Sequence, residues 1–209
     1  MKKIALKIIK SALIIFILTA LIILLIPFDL FDMKQAQRIA KWKSVYEQLE
    51  YAFSLVKLYE GDIIPSADSD GKAVSDDYII KRIAPYMNLK TDNYLDNKYK
   101  YRKMNGRFLS KTSQFIFDKF LQRKDGVYLG IRQNSLQEGN NNPSYLMLVD
   151  INGNDNPNRI GKDIFFVNLH KDNISALGKG KDHTALKSSC SPIGGGFYCS
   201  EYYLLGGKF

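Results

Sequence analysis

The first apolar pattern in the chain is a nearly unbroken hydrophobic run close to the N-terminus. It covers residues 12–28 and is interrupted only by Thr19 and Pro27. At about 17 residues, it reaches the short end of what a helix needs to cross a bilayer. The run has no small-residue cleavage site of the A-x-A kind at its end. The sequence therefore predicts an uncleaved signal anchor over residues 11–28, in preference to a cleaved signal peptide.

The charges on either side of this run set its expected orientation. The run is followed by the acids Asp29 and Asp32. It is preceded by four lysines, Lys2, Lys3, Lys7 and Lys10. Positively charged flanks stay in the cytoplasm, so residues 1–10 are predicted to be a cytoplasmic basic segment. The domain that follows is then extracytoplasmic, on a single-pass protein of the bacterial inner or cytoplasmic membrane.

The next pattern has helical spacing and no Gly or Pro from residue 33 to residue 60. Its apolar residues recur at intervals of three and four, which is typical of an amphipathic helix. They are Ile39, Trp42, Val45, Leu49, Ala52, Phe53 and Val56. We expect Asp32 to cap this helix, Gly61 to end it, and residues 27–32 to kink or break the chain before it. Residues 29–60 are thus predicted as a helix that leads into an ectodomain.

Beyond residue 60, the pattern predicts one more helix and then strands. The helix is placed over residues 76–89 and is expected to end near Pro85. Residues 92–105 show no clear period, and residues 115–121 fit either a helix or a strand. Strands are expected at 127–132, 145–151, 164–169, 174–177 and 202–205. A long amphipathic helix packed on a small antiparallel sheet gives an α+β fold, with the globular domain over residues 61–209.

Composition and charge narrow the class of protein. A hydrophobic content of 45% is enough for a folded core. The net charge of +9 includes the four lysines before the apolar run. The remaining basic residues are dispersed among acids, which favours a solvated surface over a nucleic-acid interface. Nucleic acid is therefore not an expected partner.

The two cysteines, Cys190 and Cys199, lie close together near the C-terminus. In an oxidising compartment this spacing favours a disulfide. A zinc site would need His170 and His183 as partners, but the Cys-to-His spacings match no common zinc pattern. A cysteine nucleophile with a histidine base is also disfavoured, because a neighbouring cysteine in an exported chain favours the disulfide. No catalytic residue and no bound organic cofactor are predicted.

Oxygen-bearing side chains crowd in the 150–163 loop. Asp150, Asn152 and Asn154 alternate as in calcium-binding loops, and Asp155 and Asp163 follow. The candidate ligands of a structural calcium ion are Asp150, Asn152, Asp155 and Asp163. In the alternative interpretation, these side chains cap a tight turn between two strands.

Several stretches resemble the pilin-like proteins of type II secretion and type IV pilus systems. They are KWKSVYEQLEYAFSLVKLYEGDI, KDGVYLGI, VDINGNDNPNRIGKDIFFVNL, and CSPIGGGFYC with the SEYYLLGG that follows. The D-x-N-G…P-N…G-x-D-x-F pattern is the most specific, and the likeness covers residues 33–209. The resemblance implies a long N-terminal helix that carries a small sheet, with subunits that pack through their helices into a pilus or pseudopilus. Some pseudopilins hold calcium in their C-terminal loops, so the resemblance also favours a calcium site in the 150–163 loop.

The start of the apolar run departs from the prepilin pattern. Prepilins carry a Gly-Phe-Thr-Leu-x-Glu type motif there, but residues 7–12 read KIIKSA, and no Glu lies within the run. Processing by a prepilin peptidase is therefore not expected. The resemblance implies a membrane-anchored pseudopilin-like structural or assembly component, not an enzyme, with other pilin-like or secretion-system subunits as partners. The alternative is a stand-alone anchored extracytoplasmic binding module that does not enter a filament.

Overall fold

The chain separates into two compact units, residues 1–38 and residues 39–209. The computed structural model describes residues 2–65, 74–96, 100–110, 112–117, 119–133, 145–153 and 155–208. Within these ranges, the side chains of residues 2–9, 22–32, 90–96 and 119 are not described. Each unit contains part of one helix, α1, which runs from Lys2 to Glu60.

The first unit consists of the N-terminal part of α1. The helix continues through residues 27–32, so the expected break there and the expected cap at Asp32 are wrong. A proline removes only one backbone donor, and the flanking leucine and isoleucine residues are adequate helix formers. The six large apolar side chains at residues 13–18 are each between 50% and 71% exposed. Because six consecutive residues cover more than one helical turn, this part of α1 is apolar on every side.

Hydropathy gives no candidate membrane span among the helices of the described residues. The predicted anchor, residues 11–28, falls partly outside the described side chains, which stop at residue 21 and resume at residue 33. Anchoring stays a prediction.

The second unit combines the C-terminal part of α1 with an antiparallel meander. In the described ranges it contains three further helices: α2 (Asp76–Met87), α3 (His183–Ser189) and α4 (Cys199–Leu204). Its six strands are β1 (Leu89–Asp96), β2 (Lys119–Arg123), β3 (Tyr128–Gln133), β4 (Tyr145–Asp150), β5 (Ile164–Leu169) and β6 (Ile174–Ala176). They lie in the order β1-β2-β3-β4-β5-β6, each antiparallel to the next. The predicted α+β class is confirmed.

The predicted elements with strong local signals are present. The helix at 76–87 is capped by Ser75, whose hydroxyl accepts a hydrogen bond from the backbone N–H of Tyr78 at 3.2 Å. It ends at Asn88, which takes a left-handed conformation with φ of 52°. The central strand β4 is buried along its whole length, as expected for a strand with apolar residues on both faces.

Two further sequence-based predictions differ from the structure. The strand expected at 202–205 is wrong, because these residues belong to helix α4 and the turn after it. Aromatic composition favours strands, but the buried residues of this segment, Cys199, Ser200, Tyr202 and Tyr203, have helical spacing. The second difference is strand β1, which lies in a segment without a clear hydrophobic period.

Both faces of the sheet are covered. On one face, the sheet packs against the buried side of α1 and against α2 in a single large core. That face includes Leu129, Met147, Val149 and Val167. The opposite face packs against the irregular segment that contains Phe117 and Tyr101. Helix α1 therefore lies on one face of the sheet, as predicted. The other face is covered by the irregular segment that contains Tyr101 and Phe117.

Candidate functional site

The loop between β4 and β5 begins with Asp150, whose side chain is fully buried. Its Oδ1 accepts hydrogen bonds from the backbone N–H of Asn152 at 3.1 Å and of Gly153 at 3.0 Å. This pattern is an Asx-type turn, in which a side chain replaces a backbone acceptor. Gly153 lies at φ of 64°, a left-handed conformation that glycine adopts without strain. Asp150 therefore fixes the direction in which the chain leaves the sheet.

Asp163 closes the same loop and is also fully buried. Its Oδ2 accepts from the backbone N–H of Asn158 at 2.8 Å, and its Oδ1 accepts from that of Arg159 at 2.6 Å. Both carboxylate oxygens thus serve backbone donors that precede β5. Charge-assisted hydrogen bonds of this kind are stronger than those between neutral groups. Asp163 holds the second turn of the loop.

The other two predicted calcium ligands lie between these turns. Asn152 donates from Nδ2 to the backbone carbonyl of Asp155 at 3.0 Å. Its Oδ1 is buried and has no hydrogen-bond partner among the described residues. The side chain of Asp155 is exposed. Asn154 lies outside the described residues.

The loop therefore contains the donor types that calcium prefers, but not a converging set. Asp150 and Asp163 each direct oxygens at backbone N–H groups, as the turn-capping interpretation requires. In the described part of the chain, no three His, Cys, Asp or Glu side chains are grouped so that they could hold a metal ion. The Oδ1 of Asn152 is a buried side-chain oxygen of the predicted set without a hydrogen-bond partner among the described residues. Calcium binding stays a prediction.

The cysteine pair lies against this loop. Cys190 and Cys199 form a disulfide with a Cα–Cα distance of 5.3 Å, as predicted. A Cβ added at Gly161 would lie 2.6 Å from the Sγ of Cys199. The hydroxyl of Tyr203 donates to the carbonyl of Gly161 at 3.1 Å. The loop and the disulfide-bonded segment are thus one packed unit, which the sequence did not indicate.

Two hydrogen bonds join this segment to α1 and the sheet. The backbone N–H of Phe166 donates to the buried hydroxyl of Ser200 at 2.9 Å. The indole Nε1 of Trp42 donates to the carbonyl of Ser200 at 3.0 Å. The indole also stacks on Phe165, with ring centroids 4.4 Å apart. Ser200 was not predicted as an important residue, because no local motif marks a contact between residues 158 positions apart.

The two histidines lie apart from any thiolate, since both cysteine sulfurs are bonded to each other. His170 is within 2.9 Å of the hydroxyl of Ser175, measured from Nε2 to Oγ. Burial lowers the pKa of His170 below its usual range. His183 is exposed at the start of α3. The cysteine-histidine nucleophile that the sequence disfavoured has no free thiol from which to form.

Comparison of the chain with protein-family models, with curated proteins and with solved structures finds no match.

Proposed function

We propose that the chain is a membrane-anchored, pseudopilin-like structural or assembly component of a type II secretion or type IV pilus-like system. The observation that carries the proposal is the division of α1 into two parts. The part at residues 13–18 exposes apolar side chains in every direction. The part around Trp42 and Val56 buries one face in the core of an α+β domain. A helix of this kind needs an apolar environment at one end and a domain at the other.

The disulfide supports an extracytoplasmic location for the domain. Disulfides persist in oxidising compartments and are rare in the cytosol. Together with the lysines before the apolar run, this bond favours a single-pass arrangement with the domain outside the bacterial inner or cytoplasmic membrane. The proposed role is structural and not catalytic, as the resemblance to pilin-like proteins implies.

The alternative is a stand-alone anchored binding module. It is favoured by the missing prepilin motif, since residues 7–12 read KIIKSA and the apolar run contains no Glu. Both functions require the anchor, and they differ in whether the apolar part of α1 meets the helix of another subunit or only lipid.

Photo-crosslinking in the native cell separates the two functions. A photoreactive amino acid placed at Phe16, which is 71% exposed, should crosslink to the apolar helix of another pilin-like subunit if the chain enters a filament. The same residue placed at Phe53, a buried phenylalanine of α1, is the matched control and should give no intermolecular product. Products that contain only lipid at position 16 would favour the stand-alone module. Recovery of the chain from the soluble fraction would contradict both functions.

A further inference from the structure

One part of the domain departs from the even mixture of charges seen elsewhere. Residues 97–117 contain six lysines or arginines and no Asp or Glu. The described part of this stretch includes a hairpin in which the backbone N–H of Lys103 donates to the carbonyl of Arg107 at 2.9 Å. Arg102 and Phe108 face each other across it as a bridge pair. The hairpin therefore concentrates positive charge on one small element.

A second loop brings a further cation to the same place. The backbone N–H of Arg102 donates to the carbonyl of Asn158 at 3.0 Å, so the hairpin runs beside the 158–160 segment. The guanidinium Nη2 of Arg159 lies 3.9 Å from where a Cβ on Gly106 would be. The hairpin and the 158–160 segment therefore place four basic residues, Arg102, Lys103, Arg107 and Arg159, on adjacent elements.

None of these four cations takes part in a salt bridge among the residues that the structure describes. The ion pairs found among the described residues join other cations to Glu60, Asp62, Asp125 and Asp172. Like charges closer than the Debye length of about 8 Å repel one another at physiological salt. A cluster of this kind is stabilised when it meets a surface of negative charge.

An apolar loop tip lies next to the hairpin. Ile193 is 87% exposed, although burying such a side chain is favourable. Its carbonyl accepts a hydrogen bond from the Nδ2 of Asn105 at 3.1 Å, and the next carbonyl, of Gly194, accepts from the backbone N–H of Asn105 at 3.1 Å. A Cβ on Gly194 would lie 2.2 Å from the carbonyl oxygen of Ser189, so the loop is held close to α3. The disulfide closes the same loop.

We propose that this basic-apolar patch, formed by Arg102, Lys103, Arg107, Arg159 and Ile193, docks the domain onto an anionic phospholipid bilayer. Ile193 enters the boundary between headgroups and acyl chains, and the four cations meet the lipid phosphates. Apolar residues beside clustered lysines and arginines are the combination that binds the surface of anionic membranes. The inference goes beyond the proposed function and does not depend on the N-terminal anchor.

A single-stranded nucleic acid is the competing anionic partner and fits the patch less well. Such sites stack bases on exposed aromatic rings. The guanidinium of Arg102 lies over the ring of Phe108, 4.3 Å from its centroid. Phe108 is 56% exposed, but Arg102 covers one face of its ring. The more exposed Ile193 has an aliphatic side chain and no ring face for stacking. The exposed apolar tip is therefore better matched to acyl chains than to bases.

The depth of residue 193 in a bilayer tests the proposal. The full chain is combined with vesicles of phosphatidylcholine, with or without phosphatidylglycerol, whose acyl chains carry bromine as a quencher. Ile193→Trp introduces an indole at the tip, and the single native tryptophan, Trp42, is buried and supplies a constant background. We expect the introduced indole to be quenched only in vesicles that contain phosphatidylglycerol.

Charge variants in the Ile193→Trp chain supply the matched comparison. The double variant Lys103→Gln, Arg107→Gln removes two charges from the patch. Each charge should change the ratio of docked to free domain about fivefold, so the double variant should lower that ratio about 25-fold. Lys41→Gln with Lys81→Gln removes two exposed charges from α1 and α2 and should leave quenching unchanged. All variants keep the same N-terminal segment, so insertion of that segment cancels in the comparison.

Several results would overturn the proposal. One such result is that the Ile193→Trp chain is quenched no more than the wild type in anionic vesicles. Another is that its quenching persists when Lys103 and Arg107 are replaced. Binding of a labelled oligonucleotide that requires these residues, while the indole stays unquenched, would assign the patch to nucleic acid instead. Hydrogen exchange of residues 102–108 in the unmodified chain gives an independent reading. Protection there should rise with phosphatidylglycerol vesicles, and an unchanged rate would contradict docking whether or not the tryptophan variant folds.

Discussion

The two parts of α1 have the same backbone but opposite side-chain environments. At residues 13–18, every large apolar side chain is at least half exposed. Around residues 42–56, apolar side chains such as Trp42, Leu49 and Val56 are completely buried. The side chains on the opposite side of the helix are exposed: Ser44, Glu47, Gln48, Glu50, Tyr51 and Ser54. One part thus has an apolar surface on all sides and the other has an apolar stripe.

This difference shows that hydrophobicity by itself does not assign a helix to a core. The stripe around Trp42 needs one apolar neighbour, which the sheet provides through Phe165 at a ring distance of 4.4 Å. A helix that is apolar all round needs an apolar environment on every side. The proposed bilayer anchor meets that need, and the remaining predictions test whether the two parts behave as differently as their exposure indicates.

The largest expected effect comes from the buried part. Trp42→Ala should lower the free energy of unfolding of the domain by about 3–5 kcal/mol, because it leaves a cavity and removes the hydrogen bond to Ser200. Phe16→Ala in the exposed part is the matched control and should change it by less than about 0.5 kcal/mol. Denaturant unfolding of the full chain in detergent measures both. Equal losses would contradict the division of α1 into two environments.

The stripe was predictable from the sequence, and its partner was not. Trp42, Leu49 and Val56 recur with helical spacing, and burial at those positions follows from local pattern. The contact from Trp42 to Ser200 crosses 158 residues and is set by how the C-terminal segment packs. Strand β1 escaped prediction for a related reason, since its pairing with β2 and not its own composition makes it a strand.

The second effect concerns the disulfide-bonded segment, whose Ser200 accepts the hydrogen bond from Trp42. Breaking the disulfide with Cys190→Ser should cost about 2–3 kcal/mol, since the bond closes a loop of about ten residues in the unfolded chain. Phe166 and Trp42 both donate hydrogen bonds to Ser200, which directly follows Cys199. Loss of the disulfide should therefore weaken both hydrogen bonds. Unfolding of the wild type with and without reductant provides the same comparison without a substitution. An unchanged unfolding midpoint under reduction would show that packing alone holds the segment.

The third effect separates turn capping from calcium binding in the β4–β5 loop. Without calcium, Asp150→Ala should cost about 1–3 kcal/mol, because two backbone N–H groups lose their buried acceptor. Asp155→Ala should cost little, because that side chain is exposed. If calcium binds, both substitutions should abolish a stabilisation of about 2.7 kcal/mol at a hundredfold excess over Kd. Thermal unfolding in calcium and in chelator distinguishes the cases, and equal melting temperatures would leave turn capping as the sole role.

The composition of this loop could be predicted, but its geometry could not. Alternating Asp and Asn between two strands indicated both a turn and a cation site. Which oxygens face backbone N–H groups depends on glycine conformations, such as φ of 80° at Gly161. It also depends on the packing of Cys199 against that glycine, a contact between residues far apart in the sequence.

The central claim is that the apolar part of α1 holds the chain in a membrane with its N-terminus intact. Alkaline carbonate extraction of membranes, followed by N-terminal sequencing of the chain that remains in them, tests it most directly. The account predicts that the chain resists extraction and still carries the basic residues 2–10 ahead of the apolar run. A chain released by carbonate, or one that begins within or just after residues 12–28, would contradict it.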